Sequence, residues 1–531
     1  MLIITTDTMA VTANKAQTSP RALPFRQAPL AGAFSVLAAC GGISSNAQAI
    51  DWRLTPYVGS AVTYTDNVNQ TENGQNALIL SVTPGFNLVS VGSRRLQASV
   101  NYALTATTRF ADKNSNDLFH NLSAIGKAEL VEDFLFIDGT ASLSQGLISL
   151  FGSNADATTN SANRAAVGVY SLSPYIQKRF GTFANAEVRY TLGGAIFGDN
   201  AGADSVTNSF TASLDSGSRF NDLSWSVDYS LYQADNSGTG NSTFERGSVT
   251  LGYLLTRKLR IFSTYGEERN EFQGVNNVGG NFYSVGLGWS PSRRTSIEAT
   301  VGERYFGRTY SFSARHQTRA SNWHVNYSED ISDISQQFLR VSGRTFWLCS
   351  TGPIEARDFN PPAADCNGPY TSAQLTQAAQ IRGFPLSSII AAGFVDVAIA
   401  NGVYVINSLT GGVSWSKGRL GLGLSLFDNK RIYQTLVGVT DRTQGVTGTV
   451  SYRLNPRTSA NTSLSLTENT ITFPSLPTRE DRIYSLVFGI DHRFGKDLSG
   501  ALYFRHQQRD SNTPNLDYTE NSLTASANLR F

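Results

Sequence analysis

From Leu96 the chain alternates. Leu96, Ala98, Val100, Tyr102 and Leu104 are separated by Gln97, Ser99, Asn101, Ala103 and Thr105. The same rhythm returns from Leu223 to Leu231, Leu420 to Leu426, Val446 to Leu454 and Tyr484 to Ile490. Successive side chains of a strand point to opposite faces, so each run predicts one apolar and one polar face. Most runs reach the about 9–11 residues that a membrane strand needs, against about 5–6 in soluble sheets. The connections alternate as well. Tight polar turns are expected near Gly92-Ser93-Arg94, Glu132-Asp133, Gly181-Thr182, Arg257-Lys258, Pro291-Ser292-Arg293, Ser321-Asn322, Lys417-Gly418, Asn455-Pro456-Arg457 and Gly495-Lys496. Longer loops are expected at 65–76, 148–163, 193–205, 234–242, 273–280 and 433–444. The pattern predicts an all-β fold: one large antiparallel transmembrane β-barrel of about 22 strands, within a range of about 18 to 24. Short turns then lie in the periplasm and long loops outside, and an even strand number puts both barrel ends in the periplasm.

The mean hydropathy of −0.20 does not oppose this, because lipid-facing and lumen-facing residues cancel in an average. After residue 49 no apolar run is long enough for a helical span. The nearest, Ser387 to Ala400, is broken by Asp396. A closed barrel is the other structure that satisfies every backbone group in lipid. Residues 1–49 read as a secretory signal peptide: Lys15, Arg21 and Arg26, an apolar stretch at 28–40, then Ala47-Gln48-Ala49 as a cleavage site. Leu37-Ala38-Ala39-Cys40 also matches a lipobox, which would make Cys40 an acylated N-terminus. The barrel is expected over 50–531.

One stretch breaks the rhythm. Residues 336–402 fall where an outer loop is due and form one long extracellular or lumen-inserted loop. Two parts of it, Ser372 to Ile381 and Ser387 to Ile399, have helical composition. Cys349 and Cys366 lie in it with 16 residues between them. In an oxidising periplasm they are expected to form a disulfide worth about 3 kcal/mol by loop-closure entropy. Two separate thiols are the alternative. The loop either enters the lumen or sits as a solvated cap.

Removing 1–49 takes away Lys15, Arg21, Arg26 and Asp7, which leaves 40 basic residues (43 less 3) and 40 acidic ones (41 less 1). That balance gives no argument for nucleic acid or another strongly charged partner. Inward positions are expected to carry Arg260, Glu268, Glu298, Arg304, Arg315, Arg453, Arg493, Arg505 and Arg509. They are read either as cross-strand ion pairs that stiffen the wall or as a wet surface for a hydrated, anionic solute. No catalytic constellation is apparent. His120, His316, His324, His492 and His506 stand singly, and none is followed two residues later by the serine that a membrane-embedded lipase would place there. Asp491 and His492 are adjacent and so face opposite ways. Asp66-Asn67-Val68-Asn69 lacks the spaced acids of a calcium loop and reads as a turn. No HExxH, CxxC pair or phosphate-binding glycine loop is present, so no cofactor or metal is expected and an enzyme is the least favoured reading.

The last residues, Leu523-Thr524-Ala525-Ser526-Ala527-Asn528-Leu529-Arg530-Phe531, make a strand closed by an aromatic. They resemble the C-terminal signal by which Gram-negative outer-membrane barrels are recognised by their insertion machinery, with Leu523, Leu529 and Phe531 as its apolar side. Three further stretches resemble the outer-membrane barrels associated with the PEP-CTERM/exosortase system. They are Trp52-Arg53-Leu54-Thr55-Pro56, Val62-Thr63-Tyr64-Thr65-Asp66-Asn67-Val68 and Val82-Thr83-Pro84-Gly85. The resemblance covers the mature chain, through loose motifs. It implies an outer-membrane location and an exopolysaccharide context, with no catalytic residues to carry across. The resulting expectation is a monomeric, non-enzymatic barrel in contact with outer-membrane lipid and the insertion machinery. It is either a porin-like conduit for exopolysaccharide-linked export or a non-conducting barrel that retains polysaccharide or surface proteins.

Overall fold

Alternating strands bury one face only if the sheet closes on itself or stacks on another, and here it closes. The computed structural model describes residues 51–531 apart from 112–113, 150, 153–158, 160–162, 199–200, 238–239, 274, 343–344, 350–351, 356–366 and 372–401. The wall starts with β1 (Asp51–Thr65), β2 (Ala77–Val91), β3 (Leu96–Phe110), β4 (Ser115–Val131), β5 (Leu135–Leu147), β6 (Arg164–Phe180), β7 (Ala184–Phe197) and β8 (Ser205–Ser216). It continues through β9 (Leu223–Asn236), β10 (Gly240–Thr256), β11 (Leu259–Phe272), β12 (Val275–Ser292), β13 (Thr295–Arg304), β14 (Gly307–Gln317) and β15 (Ser321–Asp333). A helix, α1 (Ile334–Ser342), and a three-stranded sheet of β16 (Thr345–Cys349), β17 (Gly352–Glu355) and β18 (Asn367–Thr371) follow. The wall resumes with β19 (Val403–Lys417), β20 (Leu420–Tyr433), β21 (Thr440–Asn455), β22 (Thr458–Phe473), β23 (Leu476–Arg493), β24 (Leu498–Ser511) and β25 (Tyr518–Arg530).

Neighbours in the chain pair antiparallel all the way round, β15 pairs with β19, and β25 pairs back onto β1 from Tyr57↔Arg530 to Thr65↔Ser522. The result is a closed barrel of 22 strands. Closure leaves no sheet edge, which is what permits strands to stand in lipid.

Register assigns the faces. Leu54, Val58, Val62 and Tyr64 of β1 lie opposite Leu88, Pro84, Leu80 and Leu78 of β2, and all but the half-buried Leu88 stay exposed. Thr63 and Thr65, between them, are buried. An exposed apolar outside with a buried polar inside inverts a soluble protein and fits a lipid-facing wall. Aromatics ring both ends of this band. Trp52, Trp225, Tyr253, Trp289 and Trp323 stand near the tight turns, and Tyr64, Tyr283 and Tyr310 nearer the loops. On β12 the two rings, Tyr283 and Trp289, are six residues apart, about 20 Å along the strand. Beyond the loop-side ring the outer face turns polar: Arg442 pairs with Asp428 at 2.6 Å, and Arg482 with Glu468 at 3.2 Å. The strands therefore stand above the membrane on that side. The protein is an outer-membrane barrel of the bacterial envelope, and its tight turns and both strand ends share one side of the membrane, the side that faces the periplasm in barrels with this alternation of short and long connections.

The strands run further than expected. β7 reaches Phe197, β9 and β10 reach Asn236 and Gly240, β12 begins at Val275, and β20 and β21 leave only 434–439 between them. The expected loops at 234–242 and 273–280 are thus mostly strand, and those at 193–205 and 433–444 are about half strand. The signal peptide, Cys40, Cys366 with its proposed bond to Cys349, and both helical candidates lie outside the described residues. Leu523, Leu529 and Phe531 face outward, and the Phe531 amide donates to the Pro56 carbonyl at 3.0 Å.

Candidate functional site

Three segments at the loop end fold into the lumen. The first is the β1–β2 loop. Val68 is 2% exposed and packs on Ala77 and the inward Ile79. Asn67 donates to the Thr71 and Thr519 carbonyls at 2.7 and 3.0 Å, and Asp66 accepts from the backbone and side chain of Asn521 at 2.7 and 2.8 Å. These oxygens are engaged with the chain itself.

The second segment is the start of the β5–β6 loop. It reaches the inner wall of β23 and β24, which ring order places well round the barrel. Arg479 donates to the Phe151 carbonyl at 2.8 Å and its guanidinium lies 4.7 Å from that ring's centre. Arg509 donates to the same carbonyl at 2.7 Å and to that of Gly152 at 3.0 Å.

The third continues β15. Above Tyr327, β15 and β19 lean inward together. Ile331 and Val403 bury themselves against Tyr232, Phe244 and Phe272, inward side chains of β9–β11. Asp333 accepts from Tyr232 at 3.1 Å and Ser242 at 2.6 Å. Helix α1 then lies on the inner wall of β5–β7. Ile334 packs with Val167, Val169, Ala195 and Phe197, and Phe338 meets Phe197 edge-on with ring centres 5.4 Å apart. Gly193 makes room for it: a Cβ there would stand 3.0 Å from a Leu339 methyl. The beginning of the long insertion is thus inside the barrel and draws a chord across its mouth.

Around these segments the carboxylates of Asp481, Glu520, Glu268, Asp441 and Asp117 meet arginines, while the buried Asp333 is held by the Tyr232 and Ser242 hydroxyls and the Gln336 amide. Asp481, with no exposed side-chain surface, accepts from Arg509, from Arg479 at 3.1 Å and from Ser511 at 2.5 Å. Glu520 accepts from Arg505 at 2.9 Å, Gln70 at 2.8 Å and Thr65 at 3.0 Å. Glu268 holds Arg304 at 2.6 Å, and Arg304 also reaches Asp330 at 2.9 Å. Arg431 pairs with Asp441 at 2.8 Å, and Asp117 receives Arg109 and Arg164. In the β13–β14 turn, burial and the neighbouring Glu268 push the Tyr305 phenol above its ordinary range. Charges this enclosed persist because they are paired and hydrogen-bonded.

All nine residues expected in the lumen take inward positions in the register, but they divide into two sets. Glu268, Arg304, Arg505 and Arg509 belong to the mouth networks just described. Arg260, Glu298, Arg315, Arg453 and Arg493 lie towards the turns and form no ion pair among the described residues. Asp117, Arg164, Arg431, Asp441, Arg479, Asp481 and Glu520 were missed by the sequence reading. The same odd–even count, carried a few residues further along each strand, finds most of them.

Four of the histidines face outward and bond to a neighbouring strand: His120 to Tyr102 and His316 to Thr295 at 2.8 Å, His492 to Thr458 at 2.9 Å, His506 to Asn521 at 2.8 Å. His324 faces inward opposite Arg315. Asp491 faces the lumen and takes Asn461 at 2.6 Å and Tyr503 at 2.5 Å, away from His492. Among the described residues no group of three or more His, Cys, Asp or Glu is placed to hold a metal ion.

The tight turns carry a charge of their own. Arg94, Arg95, Arg219, Arg257, Lys258, Arg293, Arg294, Arg319, Arg419, Arg457 and Lys496 are eleven basic residues against four acidic ones, Glu132, Asp133, Asp222 and Asp497. The opposite connections, the long insertion apart, contain one basic residue, Lys113, against seven acidic ones: Asp66, Glu72, Asp112, Asp156, Asp199, Asp204 and Asp517.

No family model matches the chain, and no curated protein does. Solved outer-membrane barrels resemble it in shape. The siderophore receptor PirA from Acinetobacter baumannii shares 9% identity over 91% of this chain and 81% of that one, with a TM-score of 0.47. The FrpB iron transporter from Neisseria meningitidis (F5-1 variant) shares 10% over 90% and 82%, with a TM-score of 0.48. Likenesses this distant add nothing to what the closed ring of strands already establishes.

Proposed function

We propose that the protein is a monomeric, non-enzymatic conduit for a hydrated anionic solute, in the exopolysaccharide-linked surface export implied by its resemblance to exosortase-associated barrels. The observation that carries this reading is the separation of charge along the barrel axis. An anionic chain approaching from the periplasm meets a basic rim, then Arg260, Arg315, Arg453 and Arg493, which form no ion pair among the described residues, and leaves past acidic loops. A field of that sign raises the local concentration of an anion at the entrance and opposes its return. The segments across the mouth act as the constriction.

The test is planar-bilayer recording of the purified protein, whole and with 336–401 replaced by a short Gly-Ser linker. Small, anion-selective conductance is expected for the whole chain, rising severalfold after the deletion. Polygalacturonate should block from the turn side at lower concentration than from the loop side. If neither form conducts, the conduit is wrong. The occupied mouth favours a second reading in that case, a filled barrel that retains polysaccharide through its loops and loses surface glycan when they are cut.

A further inference from the structure

The wall is not paired to one height. β13 and β14 have 10 and 11 residues and turn through Tyr305 and Phe306 alone, whereas β12 has 18. The β14–β15 ladder is the shortest in the wall. It runs from Gln317↔Asn322 to Phe312↔Tyr327 and stops, although β14 extends back to Gly307 and β15 on to Asp333. Were the register continued, Tyr310 would face Glu329 and Thr309 would face Asp330. Instead β15 stays with β19 as far as Asp333↔Val403 and leans inward.

Side chains span the resulting seam. On the outer face the Tyr310 amide donates to Glu329 at 3.3 Å, and the Tyr327 hydroxyl donates to the same carboxylate. On the inner face Arg304 reaches Asp330 at 2.9 Å. The seam begins at Tyr310, in the loop-side aromatic ring, so it opens at the surface of the outer leaflet. A backbone ladder is the ordinary way to hold a wall in lipid, and polar side chains in its place part at far lower cost.

What lies behind the seam has two characters. Tyr232, Phe244, Phe272, Val275 and Tyr305 form an apolar patch on the lumenal side of the wall. Beside it stand two arginines, Arg304 and Arg246, the latter 4.2 Å from the Phe282 ring centre. We propose that the β14–β15 seam is a lateral portal through which an acyl-chain molecule with an anionic carboxylate or phosphate head passes between the outer leaflet and the lumen. The chain would displace Ile331 and Val403 from the aromatic patch, and the head would meet Arg246, since Arg304 is already held by Glu268 and Asp330. This route runs sideways through the wall and does not depend on axial conduction.

The experiment uses the whole mature protein in liposomes with a diazirine-bearing hexadecanoic acid, and in parallel a lysophosphatidic acid with the same chain. After photolysis, adducts are located by mass spectrometry. Adducts on Tyr305 and on the lumenal Tyr232, Phe244 and Phe272 are expected with one or both probes, and comparing the probes identifies the preferred head. Glu329→Gln weakens the outer bridge and should raise lumenal labelling about tenfold, the scale of one charge-assisted hydrogen bond. Ser311→Cys with Ser328→Cys, oxidised, should abolish it, and reductant should restore it. Labelling confined to outward residues all round the barrel, as for any surrounding lipid, overturns the portal. So does lumenal labelling that E329Q leaves unchanged, even if the cysteine pair does not cross-link. Ion conductance recorded on the same preparation separates the two ideas: lost labelling with intact conductance removes the portal alone, and the reverse removes the conduit alone.

Discussion

Arg509 and Arg453 both point into the lumen, from β24 and β21, and they live in different physics. Arg509 is 3% exposed and locked to Asp481 and two loop carbonyls. Arg453 is exposed and has no ionic partner among the described residues. The contrast extends to the halves of the barrel they represent. Towards the loops, charge is buried, matched and used to pin inserted segments. Towards the turns, charge is wet and left over. The same residue type serves as cement in one half and as field in the other, and burial decides which.

The largest effect should come from breaking the cement. Asp481→Ala leaves the enclosed Arg509, and the partly exposed Arg479 beside it, without their shared carboxylate, and removing one partner of a buried pair costs about 3–5 kcal/mol. Arg453→Ala should stay within about 0.5 kcal/mol of the parent, as an exposed side chain with no fixed partner. Urea midpoints of the two variants in lipid vesicles, followed by gel mobility of the folded form, compare them directly. Equal midpoints would mean that the two halves do not differ in the way described.

A smaller effect should follow from dislodging α1 while leaving the wall intact. Gly193 faces the lumen where Leu339 lies, and its Cβ position is also 3.0 Å from the Tyr170 carbonyl. Gly193→Val overpacks that contact at about 1–3 kcal/mol. Bilayer recordings should then show frequent wide-open intervals, with strand content by circular dichroism unchanged. Conductance identical to the parent would mean that the helix does not control the mouth.

The odd–even rhythm made the barrel legible because lipid and water lie on opposite faces of the wall for most of its height. It failed where that difference vanishes. Above the membrane, Glu245, Glu267, Arg269 and Glu271 face water outside while the lumen is polar inside, so β10–β12 lose their contrast and resemble loop. Helix α1 was missed for a related reason. Ile334, Phe338 and Val341 recur at helical spacing, a signal that counting in twos passes over. The buried status of Asp481 and Glu520 was not legible, since what covers them comes from loops far away in sequence. The even balance of charge over residues 50–531 concealed most. Within that balance a net +7 at the tight turns (11 less 4) stands against a net −6 at the opposite connections (1 less 7), the long insertion apart, and only the topology tells which residues belong to which end.

The smallest expected effect tests the wet half on its own terms. Arg315→Glu, Arg453→Glu and Arg493→Glu together reverse three exposed inward charges and should barely move stability. They should shift the reversal potential towards cations in dilute salt. The Debye length falls from about 10 Å at 0.1 M to about 3 Å at 1 M, so that shift should fade as salt is raised. The destabilisation by Asp481→Ala should persist in the same salt series, because ions do not enter the space around a fully covered carboxylate. A selectivity shift that survives 1 M salt would place those arginines in a narrow, dry passage and move the constriction from the loops to the turns.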